Sequence, residues 1–201
     1  MGITYSKNVT EWLPYVSATV DAYHNRVSDK IVAVPTKNLF VWSVVNLGKV
    51  DIKGIDIAGQ ADFRPASGYL IGLSGNYTYQ RALDVTDSDP NTMEGKTYGH
   101  QIAYTPRISG SGQARLETPW VNLSYALVFS GKRYVLGQNL AKNRLPGYTD
   151  HSVSASRSFP LKRTTVSVSA EVLNLLDKNY EIIKNFPMPG RSFRISLGIK
   201  Y

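Results

Sequence analysis

The chain contains no cysteine, few charged side chains for its length and no long apolar run. The missing cysteines remove disulfide frameworks, thiolate metal sites and cysteine nucleophiles together. With 19% charged against 42% hydrophobic residues, the 201-residue chain is not a self-repelling disordered segment, and it can fill one domain or two small ones. No window approaches the roughly 18 consecutive apolar residues of a spanning helix, and the first residues lack the basic, apolar and small-residue succession of a signal peptide. The chain is therefore either soluble or enters a membrane as strands, with its targeting segment elsewhere. The formal charge is +8, but Lys and Arg are scattered singly among turns and loops, so nucleic-acid binding is not expected.

Period-two alternation recurs from one end of the chain to the other. Ile71, Leu73, Tyr77 and Tyr79 alternate with Gly72, Ser74, Asn76 and Thr78. Leu123, Tyr125, Leu127 and Phe129 alternate with Ser124, Ala126 and Val128, and Ile55, Ile57, Ala61 and Phe63 with Asp56, Ala58, Gln60 and Asp62. Phe193, Ile195, Leu197, Ile199 and Tyr201 alternate with Arg194, Ser196, Gly198 and Lys200. Weaker runs at 16–34, 108–116, 148–159 and 164–173, with a stump at Ile3 and Tyr5, bring the total to about nine strands in an all-β, antiparallel up-and-down meander. The apolar parity slips between Ile52 and Ile55, which predicts a bulge at Lys53-Gly54.

The connections alternate in length. Short turns are expected at 8–14, 64–68, 117–119 and 160–163, and long loops at 35–47, 82–105, 131–147 and 176–190, so every long loop lies at one end of the sheet. Outer-membrane barrels are organised in this way. Aromatic residues collect beside the short turns: Trp12, Tyr15, Phe63, Tyr69, Trp120, Phe159 and, closing the chain at the same level, Tyr201. Such a belt suits a membrane interface, where ring faces meet acyl chains while Tyr and Trp polar groups bond in the headgroup zone. The hydrophilic parity carries Asp21, Asp56, Asp62, Glu171, Arg194 and Lys200, which suit a wetted lumen better than a dry core.

The run Asn174-Leu175-Leu176-Asp177-Lys178-Asn179-Tyr180, then Pro187-Met188-Pro189-Gly190-Arg191 and a last strand ending in an aromatic residue, resembles the C-terminal signature of TonB-dependent outer-membrane receptors. Lys49-Val50-Asp51-Ile52-Lys53-Gly54-Ile55-Asp56, Tyr104-Thr105-Pro106-Arg107 and Ser130-Gly131-Lys132-Arg133-Tyr134 are similar to further stretches of that family. The resemblance implies an energised importer of ferric siderophores, haem, cobalamin or similar nutrients, with a barrel of about twenty-two strands around an N-terminal plug. It implies the TonB complex as partner, docking on a box ahead of the plug. Nine strands cannot close so large a barrel, so residues 1–201 are expected to be a partial barrel domain, its C-terminal portion, without the plug and the earlier strands. Phe193, Ile195, Leu197, Ile199 and Tyr201 also resemble the signal that the barrel-assembly machinery reads. Outer-membrane lipid and lipopolysaccharide are the remaining expected partners. The alternative is a small self-contained outer-membrane barrel with an adhesin or structural role.

Catalysis is not expected. His24, His100 and His151 stand apart from one another and from any carboxylate pair at metal-ligand spacing, and no cofactor or metal is implied. Asp87, Asp89 and Asn91 open like a calcium loop, but Thr92 replaces the glycine of its sharp turn and Tyr98 the closing glutamate. Tyr98, His100, Lys132, Arg133, Tyr134, Lys178 and Tyr180 are the candidate ligand-capture residues of the outer loops, since cations and rings suit an anionic chelate.

Overall fold

The structure is a computed structural model that describes residues 1–35, 41–86 and 97–201. Nine strands form one antiparallel sheet: β1 (Gly2–Lys7), β2 (Tyr15–Pro35), β3 (Trp42–Phe63), β4 (Leu70–Asp84), β5 (Ile108–Glu117), β6 (Asn122–Ser130), β9 (Tyr148–Leu161), β10 (Thr164–Leu173) and β13 (Ser192–Lys200). Each pairs with its predecessor in the sheet, so the meander expected from the sequence is the fold. Two small hairpins sit in the loops, β7 (Arg133–Tyr134) with β8 (Arg144–Leu145), and β11 (Glu181–Ile183) with β12 (Phe186–Pro187). Among the described residues, no helix is long and apolar enough to cross a membrane.

The register fixes the two faces. Val20, Ile57, Tyr77, Gly110 and Phe129 form one cross-strand row, and Ala114, Tyr125, Val153, Val172 and Phe193 are linked in the same way along the later strands. On the other parity Thr19, Ala58, Asn76, Ser111 and Val128 stand in one row, and Ser124, Ser154, Glu171 and Arg194 in another. A trough of about 510 Å³ runs along this small, polar face. The bulky face is bare instead, with Leu73 46%, Leu123 44% and Leu197 68% exposed. A one-residue slip of any strand would exchange the two sets, so the alternation itself locks the register.

Two expectations fail. No bulge interrupts the sheet at Lys53-Gly54, because the pairing of β3 with both neighbours runs without a shift from Val50 to Asp62. The parity slip has another cause. At the long-loop end, residues 99–102 pair alongside β4, Asp84 N donating to His100 O and Ile102 N to Ala82 O, so Ile102 packs with Val50 and Ala82, both fully buried, and Leu47 and Ile52 flank them. The inner parity turns apolar there because a loop, not water, covers it. Burial of Val50 and Ile102 contributes about 2 kcal/mol each. The segment 35–47 is likewise not one long loop: β2 continues to Pro35 and β3 begins at Trp42. These strands of 21 and 22 residues are twice the roughly ten that a strand needs to cross a hydrocarbon layer.

Candidate functional site at the loop end of the polar face

Three connections, within 97–107, 131–147 and 174–191, are bonded to one another above the polar face: Tyr104 N donates to Tyr134 O, and Arg133 to Glu181 O. Tyr148 opens β9 on that face, and the ring of Tyr180 stacks on it with centroids 4.4 Å apart and planes 12° from parallel. The Tyr180 hydroxyl donates to Asp150 Oδ2 at 2.5 Å. Burial first, and then the Asp150 carboxylate, push the Tyr180 phenol well above its ordinary range. Beneath these rings lies a recess of about 390 Å³, lined among others by Ala126, Val128, Ser152, Ile182 and Met188. A second recess of similar size is lined by Tyr148, Tyr180 and Lys178 together with Ile108 and Phe129 of the bulky parity.

Arg133 is the pin of this region. Its side chain is buried, and its Nη2 donates to the carbonyls of Glu181 at 2.6 Å and Ile182 at 2.9 Å, while Nη1 reaches Pro146 O at 3.4 Å. Its guanidinium also sits 5.4 Å from the Tyr148 ring centroid. The planar fork thus ties the β7–β8 hairpin to the β11–β12 hairpin, and burial lowers its pKa from the usual guanidinium value. Three of its five N–H donors are spent on backbone oxygens.

The run beginning at Asn174 is a clamp. Asn174 is buried with φ 47°, a left-handed conformation that asparagine tolerates. Its Nδ2 donates to Lys178 O and Pro189 O, and its Oδ1 accepts from Lys178 N. Asp177 Oδ1 accepts from Arg191 N, and Arg191 Nε donates to Leu175 O. The two ends of the 174–191 loop are therefore bonded to each other just before β13 starts.

The remaining candidates are spread around the mouth. Lys178 Nζ donates to Thr149 Oγ1, Lys132 is exposed beside Arg133, and Tyr134 accepts through its carbonyl from Tyr104 N. Tyr98 is 60% exposed, and His100 Nδ1 accepts from Asn139 N in a separate group held by Gln101 and Asn139. So Arg133, Lys178 and Tyr180 come together around Tyr148, whereas Tyr98 and His100 form a second patch. Sequence reasoning missed Tyr148 and Asp150. Their signal was an aromatic and a carboxylate two residues apart on the small, polar parity of β9.

Lower on the inner face one device recurs. The Tyr23 ring lies across Gly54 to reach Gln80 Oε1 at 3.2 Å, and Arg115 lies across Gly72 to reach Asp62 at 2.9 Å. Each glycine clears the way for a long side chain to bond one strand further on. Arg194 meets Glu171 at 3.2 Å, the partner that could not be read from the sequence. Among the described residues no group of three His, Asp or Glu could hold a metal. Asp84 is capped by Thr86 and Thr97, while 87–94, the rest of the acidic stretch, lies outside the described residues.

At the short-turn end, Trp12 stacks on Phe63 with centroids 6.3 Å apart and Tyr69 meets Trp120 edge-on at 6.1 Å. Arg157 lies 4.9 Å over the Phe159 ring, and Tyr201 follows the end of β13 fully exposed. Tyr15 differs from the other six, since it pairs with Asp62 and takes the inner parity. Phe193, Ile195, Leu197 and Ile199 project from the bulky face of β13, the last strand of the sheet.

A family model described as TonB dependent receptor-like, beta-barrel, matches residues 2–175. The chain belongs to that family. The ferric preacinetobactin receptor BauA of Acinetobacter baumannii is similar over 98% of this chain, with a TM-score of 0.69 and 20% identity. The ferric citrate transporter FecA, unliganded, is similar over 98% at a TM-score of 0.70 and 12% identity, and the copper transporter OprC over 96% at 0.61 and 15%. At these identities the likeness is one of fold. The chain spans 28%, 30% and 29% of the lengths of these three proteins. They are receptors and transporters, and the barrels of this family sit in outer membranes.

Proposed function

We propose that this chain is the C-terminal part of the barrel of an outer-membrane, TonB-dependent importer that takes up a ferric siderophore, haem, cobalamin or a similar scarce nutrient. One observation carries the reading: a nine-strand meander of this barrel family is bulky and apolar on one face and small and hydrophilic on the other. The apolar face then contacts lipid, with Trp12, Phe63, Tyr69, Trp120, Phe159 and Tyr201 at the periplasmic interface. The polar face lines an aqueous interior that would receive a plug, and energy would come from the TonB complex. Phe193 to Tyr201 would be read by the barrel-assembly machinery.

Residues 1–201 would be one partial barrel domain, because β1 and β13 each pair on one side alone and a bilayer cannot satisfy such edges. At the mouth, Tyr98, His100, Lys132, Tyr134 and Lys178 offer rings and cations to an anionic chelate, while Arg133 and Tyr180 hold the rim in shape. The test is uptake. Deleting the gene that encodes this chain should abolish TonB-dependent accumulation of a radiolabelled ferric chelate or cobalamin, with the protein found in the outer-membrane fraction. Unchanged uptake of every such nutrient, with residues 1–201 alone forming a closed surface barrel, would instead establish the adhesin or structural barrel.

A further inference from the structure

The bulky face changes character at one level. Below it, from Ala22 to Val16 on β2, Ile55 to Ala61 on β3 and Tyr79 to Ile71 on β4, every residue of that parity is apolar, glycine or tyrosine. At the level itself, His24, Lys53 and Arg81 are direct cross-strand partners, one from each of three adjacent strands. One step higher, Arg26 pairs with Asp51. Asp51 is the sole carboxylate of this group, and it is already shared: His24 Nε2 lies 2.5 Å, Arg26 Nε 3.6 Å and Lys53 Nζ 3.5 Å from its oxygens. Arg81 is exposed and has no hydrogen-bond or ion-pair partner among the described residues.

Like charges placed directly opposite on neighbouring strands repel, so Lys53 opposite Arg81, with the one nearby carboxylate already shared, leaves positive charge that a further anion would offset. The row's height identifies that anion. His24, Lys53 and Arg81 lie nine to eleven residues above the strand ends at Tyr15, Phe63 and Leu70. A tilted strand climbs roughly 2.5 Å per residue, which puts the row about 25 Å up, at the upper rim of an outer-membrane apolar band. The side chains remain open to that rim: those of Arg26, Lys53 and His24 are 81%, 57% and 46% exposed.

We propose that Arg26, Lys53 and Arg81, with His24 positioned by Asp51, form a binding site for the phosphate groups of a phosphorylated outer-leaflet glycolipid whose acyl chains lie along Ile55, Ile57, Tyr77 and Tyr79. Arg81 takes a phosphate directly, and Asp51 holds Arg26 and Lys53 at its sides. The site rests on the membrane orientation proposed above and adds to it a fixed lipid that pins the tall β2–β3 hairpin at the bilayer surface.

The test is native mass spectrometry of the full-length protein purified from outer membranes in mild detergent, then titrated with diphosphoryl lipid A. The R26Q/K53Q/R81Q variant should retain at least tenfold less of this lipid than wild type, and a control K162Q/R163Q variant at the opposite end should retain as much as wild type. Dephosphorylated lipid A should bind wild type no better than it binds the triple variant. Displacement by millimolar inorganic phosphate without any acyl-chain dependence would reassign the site to a free anion and overturn the lipid proposal. Should the triple variant fail the heat-shift test for a folded barrel, R81Q alone decides, since it removes no protein contact; severalfold weaker lipid binding is expected. Equal retention by a folded R81Q or triple variant overturns the site but leaves the membrane orientation standing. A wild-type protein that never reaches the outer membrane overturns the orientation itself.

Discussion

Tyr180 reaches from the loop after β10 to Asp150 on β9, donating its hydroxyl at 2.5 Å while its ring covers Tyr148. This bond joins a mobile class of element, a surface loop, to the rigid wall of the sheet. Because burial and Asp150 raise the phenol above its ordinary value of 10.0, the protonated form is favoured in the folded state. The stabilisation is therefore complete below pH 10 and is lost as the pH rises through the elevated value. Absorbance titration at 295 nm should show one tyrosine ionising last, and Y180F should abolish that late step. Simultaneous ionisation of all tyrosines in wild type, with the loop intact, would contradict the arrangement.

Gly54 is kept without a side chain by its neighbours. A Cβ there would stand 2.4 Å from the Tyr23 ring and 2.8 Å from the Tyr79 carbonyl oxygen. G54A is expected to destabilise the sheet by about 1–3 kcal/mol, the usual range for overpacking. Y23A/G54A should recover part of the loss but not all, because the carbonyl contact persists. The loss of the heat-resistant gel form with temperature measures both.

The strand pattern was legible because the alternation of bulky and small residues has a single physical cause, the different media on the two sides of one sheet. The nine strands and the grouping of the long connections follow from it. Gly54 was misread for an instructive reason: a parity slip signals that the covering of a face changes, and a bulge is one cause among several. Ile102, fifty residues beyond Ile52 in sequence, supplies that covering, and nothing local to Lys53-Gly54 announces it. Arg133 shows the same limit, since its residue type fits ligand capture but its donors end on the carbonyls of Glu181 and Ile182.

Asn174 should govern the order of the 174–191 loop. N174A removes three hydrogen bonds from a buried residue and places alanine at φ 47°, so a local loss of about 2–3 kcal/mol is expected. N174G keeps the backbone conformation and loses the bonds alone, and should fall between wild type and N174A. Amide exchange at Lys178 and Arg191 should quicken in that order. Identical exchange in all three proteins would remove the clamp from the account.

Arg133 joins two hairpins through a fork that lysine cannot reproduce. R133K and R133A should both loosen the rim, seen as new protease cleavage within 132–147 and 181–187, and R133K should rescue little. Full protection in R133K would mean that charge alone suffices and the planar geometry is dispensable.

The orientation of the sheet is tested most directly along β6. The chain has no native cysteine, so single cysteines at positions 123 to 128 can be spin-labelled one at a time in the membrane-inserted protein. Labels at 123, 125 and 127 should collide readily with oxygen, which concentrates in lipid, and those at 124, 126 and 128 with a water-soluble nickel chelate. The opposite phase, or uniform access to the nickel chelate, would contradict the assignment of the bulky face to lipid.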